Sequence, residues 1–151
     1  MDTTAYVYAG GCHCSNIKLA VELTKALNAY KPRACDCDFC KTHGASYLSD
    51  PQGKLVITTK DKDALSRYRQ GDAIADFLIC KICGVVAGVS FQSEAGLYAT
   101  IEAGLYATIN VKALSDRADC LPETSVSPKL LSTEDKIERW KKAWFSDVKF
   151  E

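Results

Sequence analysis

The sequence predicts a mainly β domain that ends in a short helix. Three observations carry this reading. Apolar and polar residues alternate along much of the chain, turn residues punctuate the alternation, and the cysteines fall in short-spaced groups rather than being scattered.

The clearest strand runs from Ile17 through Leu19 and Val21 to Leu23, alternating with Lys18, Ala20 and Glu22. That period of two marks a half-buried strand. Further strands are expected at 45–48, 55–59, 66–69, 73–79 and 85–91, with Pro51-Gln52-Gly53 and Gln70-Gly71-Asp72 as turns between them. Residues 94–101 recur identically at 102–109 as the octapeptide EAGLYATI. Alternation puts Leu97, Ala99, Ile101, Leu105, Ala107, Ile109 and Val111 on one face, and Tyr98, Thr100, Tyr106 and Thr108 on the other. The even period preserves which side faces inward. One continuous strand over both copies would exceed the usual length of about 3–10 residues, so a break is expected near 102–104. A lengthened hairpin is the plain reading; a strand-exchanged or homodimer edge is the alternative.

Residues 115–129 are polar, contain Pro122 and Pro128, and read as a loop. Ser132, followed three residues later by Asp135, resembles a capping box that opens a helix. Helical spacing puts Ile137, Trp140 and Trp144 on one face, expected to pack on the domain, with Lys136, Arg139 and Lys142 pointing elsewhere. The whole of 1–151 is thus expected to be one domain, with a core at about 8–111 and a C-terminal loop and helix at 115–147.

With 151 residues, 47% of them hydrophobic and 25% charged, the composition is that of a globular chain with a real core. Lys+Arg and Asp+Glu number 19 each, so no global basic field draws nucleic acid or an anionic membrane. Residues 1–9 carry neither the basic nor the apolar region of a secretion signal, and no apolar run approaches the ~20 residues of a spanning helix. A cytoplasmic location, with a nuclear one as alternative, is expected. In such a reducing compartment eight cysteines read as metal ligands rather than disulfides.

The cysteines occur as Cys12-x-Cys14, Cys35-x-Cys37-x-x-Cys40, Cys80-x-x-Cys83-Gly84 and a separate Cys120. Pairs one or two residues apart offer two sulfurs to one tetrahedral Zn²⁺. Cys80 and Cys83 supply two ligands, and Cys12 and Cys14 can supply two more. Cys35, Cys37 and Cys40 then form a triple with one position vacant. Other partitions are open on spacing alone: Cys120 closing the triple, or Cys40 joining the first group.

The runs Gly10-Gly11-Cys12-His13-Cys14, Cys35-Asp36-Cys37-Asp38-Phe39-Cys40-Lys41 and Cys80-Lys81-Ile82-Cys83-Gly84 resemble, in order and spacing, the glutathione-dependent formaldehyde-activating enzyme family, which includes centromere protein V. The resemblance covers about 8–111. It implies a β-tent, in which antiparallel sheets meet at an angle around the metals, and two Zn²⁺ per chain. Cys12, Cys14, Cys80 and Cys83 would hold a structural zinc, and Cys35, Cys37 and Cys40 an open catalytic one. The tandem repeat looks inserted relative to the family, and nothing after Val111 matches a family motif.

Three thiolates on Zn²⁺ blunt its acidification of water and favour a soft sulfur as fourth ligand. The expected chemistry is addition of a small thiol, glutathione by resemblance, to formaldehyde or another small aldehyde: a carbon–sulfur lyase run in either direction. His43 is the candidate for proton transfer, and Lys41 for attracting a substrate carboxylate. Asp36 and Asp38 read as turn and ligand-supporting residues, and Cys120 as a spare thiol. The competing expectation is a non-catalytic zinc-stabilised binding module of the centromere protein V type, docking a partner on the Tyr98/Tyr106 face or on the Trp140/Trp144 helix.

Overall fold

The computed structural model describes residues 6–70, 73–93 and 104–151. In chain order the elements are β1 (Tyr6–Gly11), β2 (Ile17–Leu23), β3 (Arg33–Cys35), α1 (Asp38–His43), β4 (Tyr47–Leu48), β5 (Lys54–Thr59) and β6 (Leu65–Tyr68). They continue with β7 (Asp76–Cys80), β8 (Val86–Ser93), β9 (Gly104–Asn110), β10 (Thr124–Val126), α2 (Thr133–Ala143) and β11 (Asp147–Phe150).

The strands form a small sheet in the order β1-β2-β5-β11 and a large one in the order β10-β3-β4-β9-β8-β7-β6. Most pairs are antiparallel, but β11 runs parallel to β5 and β10 parallel to β3, so each sheet is mixed at one edge. That refines the all-antiparallel expectation while keeping the mainly β class.

Alternation explains the layering. On β2, Ile17, Leu19, Val21 and Leu23 are buried, and with Leu55 and Ile57 of β5 they pack against Leu78, Ala87, Ala107 and Ile109 of the large sheet. The opposite face of the large sheet carries Tyr47, Phe77, Val89, Phe91 and Tyr106, which pack with Cys40 of α1 and with Ile137 and Trp144. The large sheet is therefore a middle layer, and β8 and β9 are buried on both faces. This accounts for Tyr106 and Thr108. The alternation correctly opposes them to Ala107 and Ile109, yet both are buried.

Several expectations shift in detail. β7 begins three residues late, because Ala73 takes a left-handed φ of 57° in the preceding turn. β9 starts at Gly104, and residues 94–103, with the first repeat copy and the expected break, lie outside the described residues. The stretch 115–129 is not all loop, since it contains β10. β1, β3, α1 and β11 were not expected. Ser132 caps α2 as expected, its hydroxyl accepting from the Asp135 amide at 3.2 Å. Among the described residues, no helix is long and apolar enough to cross a membrane.

Candidate metal centres and the adjoining cavity

Two groups of sulfurs converge, each within 4.8 Å: Cys12, Cys14, Cys80 and Cys83, and separately Cys35, Cys37 and Cys40. The first group is built by two turns. Cys12 and Cys14 follow β1, where a side chain at Gly11 would sit 2.2 Å from the Ile17 carbonyl, so only glycine lets the turn close that tightly. Cys80 ends β7 just beyond a register shift between Leu78 and Ile79, which re-aims the strand. Gly84 takes a φ of 79° and its amide returns to the Cys80 carbonyl at 2.8 Å.

The sulfurs of this group stand 3.7 Å (Cys12–Cys14) and 3.5 Å (Cys14–Cys80) apart. A tetrahedral ion with Zn–S bonds of about 2.3 Å sets its sulfurs about 3.8 Å apart, so the donor set fits Zn²⁺. Backbone amides support the sulfurs: Ile17 donates to Cys12 at 3.2 Å and Cys83 to Cys80 at 3.5 Å. Burial resists ionisation of Cys83, but the amides and neighbouring thiols outweigh it and bring Cys83 down to about 6. His13, between two of the sulfurs, is exposed and belongs to neither group.

The second group sits where β3 runs into α1. Cys35 closes β3, Cys37 is the N-cap of α1 and accepts from the Cys40 amide at 3.4 Å, and Cys40 is buried within the helix. Gly44, in the left-handed region, ends the helix after six residues. The Cys40 sulfur and the Tyr47 hydroxyl are 3.1 Å apart. The neighbouring Cys40 thiol lowers Cys35 to about 6, while Cys35 and burial push Cys40 upward. Burial, then the charge at Cys40, pushes Tyr47 upward as well. The three thiols thus compete for charge, a conflict that a divalent cation relieves. Cys120 is in neither group; burial, then Asp119, pushes its thiol up.

A cavity of about 170 Å³ opens beside the second group, lined by Cys35, Cys37 and Cys40 together with Tyr47, Phe77 and Val89. Its outer wall comes from α2: Lys136, Arg139, Trp140 and Ala143, with Trp144 beyond. These four helical positions form an i, i+3, i+4, i+7 stripe adjacent to the core-facing one. Lys136 and Arg139, which the sequence sets off the Ile137, Trp140 and Trp144 face, flank the cavity. Trp140 and Trp144 stack at 4.6 Å, and Trp140 meets Phe91 at 5.4 Å.

Arg33 of β3 also lines the cavity. Its Nη2 donates to Ser49 at 2.8 Å and, more weakly, to Thr108 at 3.4 Å. Burial, with a smaller contribution from Arg139, lowers its guanidinium to about 10. Asp36 accepts from the Ser127 hydroxyl at 2.5 Å, tying the cysteine loop to the segment after β10.

Two singled-out residues fall elsewhere. His43 is exposed at the end of α1, its ring 4.6 Å from that of Phe39, and neither it nor Lys41 lines the cavity. Of the proposed docking faces, Tyr98 lies outside the described residues, while Tyr106 and Trp144 are buried. Arg33, Lys129, Lys136 and Arg139 are the charged cavity residues that sequence reasoning missed. The stripe on α2 was the available signal.

The family model for glutathione-dependent formaldehyde-activating enzyme matches residues 7–123, reaching past Val111 but stopping short of α2. No curated protein matches the chain. A crystal structure of a Rhodobacter sphaeroides protein, solved as a structural-genomics target, is similar with a TM-score of 0.54 and 24% identity, over 77% of this chain and 99% of that one. This likeness speaks to the fold. With the family model spanning more than half the sequence, the chain, whose cysteines assemble into two groups, belongs to the glutathione-dependent formaldehyde-activating enzyme family.

Proposed function

We propose that the protein is a zinc-dependent carbon–sulfur lyase of the S-(hydroxymethyl)glutathione synthase type, joining a small thiol, glutathione by family, to a small aldehyde. The observation that carries this reading is the position of Cys35, Cys37 and Cys40. Three sulfurs converge at the wall of a cavity, and among the described residues no fourth His, Cys, Asp or Glu joins them. Cys12, Cys14, Cys80 and Cys83 have no share in that cavity and are assigned the structural zinc.

Bound by the three sulfurs, Zn²⁺ would keep a substrate thiol deprotonated near neutral pH. The chain's own residues then have three tasks. The three sulfurs set where the thiol sits. Phe77, Val89 and Trp140 exclude water around it, which keeps the nucleophile poorly solvated and close to the aldehyde carbon. Tyr47, buried against Cys40, holds that sulfur in place. In the bond-forming direction the thiolate lone pair makes the carbon–sulfur bond, the carbonyl π pair moves to oxygen, and that oxygen takes a proton from water, giving a hemithioacetal. The reverse breaks the same bond. His43, outside the cavity, is left out of the proton path, which water at the mouth can serve.

The test is exchange NMR on ¹³C-formaldehyde and glutathione at equilibrium, with and without zinc-loaded protein. Spontaneous adduct formation sets the baseline. The proposal expects the exchange rate to rise with protein concentration in the wild type, and to stay at baseline with Cys35→Ser. An unchanged rate in the wild type removes the enzymatic reading.

A further inference from the structure

The cavity wall is charged in one direction. Arg33, Lys129, Lys136 and Arg139 all line it, Lys129 paired with Asp36 at 4.0 Å, and among the described residues no Asp or Glu does. The Cys35, Cys37 and Cys40 thiolates with one Zn²⁺ would carry a net charge of about −1, enough to offset one of the two arginines and not both. Among the described residues no carboxylate pairs with Arg33 or Arg139. Arg33 donates, among the described residues, to hydroxyl oxygens alone, those of Ser49 and Thr108, which leaves most of its five donors unspent there. A partly buried guanidinium near enough to a second one for the two to repel, with both lining one cavity, is an unfavourable arrangement in the empty protein. An anion between them relieves it. The cavity's size adds a constraint: at about 170 Å³ it is close to the 150 Å³ that encloses one benzene-sized molecule.

We infer that the cavity selects a thiol bearing a carboxylate a few bonds from its sulfur, with Arg33 and Arg139 as the residues that hold the carboxylate. This rests on the reading that Cys35, Cys37 and Cys40 mark the thiol's position. The anion site is assembled from two parts of the chain. Arg33 lies within the segment matched by the family model, whereas Lys136 and Arg139 come from α2, beyond it. A planar guanidinium suits a carboxylate because its paired N–H groups match the two oxygens. The apolar stem of such a substrate would lie against Trp140.

Both tryptophans of the chain line the cavity, so intrinsic fluorescence reports its occupancy. The zinc-loaded full chain is titrated at fixed ionic strength with 3-mercaptopropionate, with its neutral near-isostere 3-mercapto-1-propanol, and with propionate. The expected result is binding of mercaptopropionate at least about tenfold tighter than the alcohol, the range of a hydrogen bond to a charged group. Arg139→Gln should cut that preference to about threefold or less while shifting the neutral thiol's affinity by no more than about twofold. Arg33→Lys should keep part of the preference, and Arg33→Gln, if it folds, should lose it.

Equal binding of the two thiols by the wild type overturns the anion site and leaves the thiol reading standing. A preference that survives intact in Arg139→Gln overturns it too. If propionate binds as tightly as mercaptopropionate and Arg139→Gln weakens both, the anion site stands and the thiol reading fails.

Discussion

Replacing Cys37 with serine should remove one zinc and leave the fold in place. Cys37 has two roles in the structure: it contributes one of three converging sulfurs, and it caps α1 by accepting from the Cys40 amide at 3.4 Å. Serine is among the preferred N-caps and accepts the same bond, so the six-residue helix keeps its start. Its hydroxyl is not ionised at neutral pH and is a poor substitute for thiolate on zinc. Changing an outer partner of a zinc ligand alone costs about 10–100-fold in affinity. Losing one of only three protein ligands should therefore cost at least about 100-fold. That factor is about 2.7 kcal/mol. The assay is metal content by mass spectrometry after dialysis, with a chromogenic chelator titration beside it. Wild type should hold two zincs per chain and Cys37→Ser one, the second being released at chelator concentrations at least a hundredfold lower. Cys80→Ser is the contrast. Cys80 is fully buried in the main core, so its loss should unfold the chain rather than empty a site quietly. Two tightly held zincs in Cys37→Ser would show that Cys37 is no ligand and that the triple is misassigned.

Other consequences are measurable. Ile137→Ala, at a side chain 1% exposed between α2 and the large sheet, should lower stability to urea by about 2–4 kcal/mol, with tryptophan fluorescence shifting at the same midpoint as far-UV circular dichroism. Gly84→Ala meets no atom within 4 Å, so its cost is the left-handed backbone alone, about 1–2 kcal/mol by thermal melt of zinc-loaded protein. Asp50 is brought to about 2, from an ordinary 3.8, against the opposing effect of burial, by hydrogen bonds from Thr24, Tyr30 and the Gln52 amide. A depressed carboxylate stabilises above its unfolded pKa, and that stabilisation fades as pH falls toward 2. Allowing for solvent screening, the wild-type advantage over Asp50→Asn should be about 1–2 kcal/mol at pH 6 and should shrink steadily below pH 4 in paired urea melts.

What was legible in the sequence follows from which signals are local. The alternation from Ile17 to Leu23 reads directly, because β2 has one buried and one exposed face. The sulfur groups read from spacing and family resemblance, since each pair sits in one turn. β3 is three residues long and carries no period, and the edge strands β10 and β11 depend on partners about ninety positions away. No local pattern announces them. The cavity wall failed for a different reason. Lys136 and Arg139 resemble a solvated helix face, and only the tertiary position of α2 turns that face toward Cys35, Cys37 and Cys40. His43 and Lys41 attracted attention by their nearness in sequence to Cys40, but α1 carries them outward.

The two parallel edge pairings also impose an order of assembly. Arg33 is paired with Thr124 and Lys54 with Asp147, so both sheets are completed only by strands that emerge late in synthesis. Until then β3 and β5 stand as open edges, the kind of surface on which nascent chains stick to one another. Both cysteine groups are already translated by residue 83, whereas the tryptophan-bearing wall follows fifty residues later. Metal capture can therefore precede closure, and a chain stopped before β10 would carry its zinc ligands and lack the strands that make it safe from aggregation.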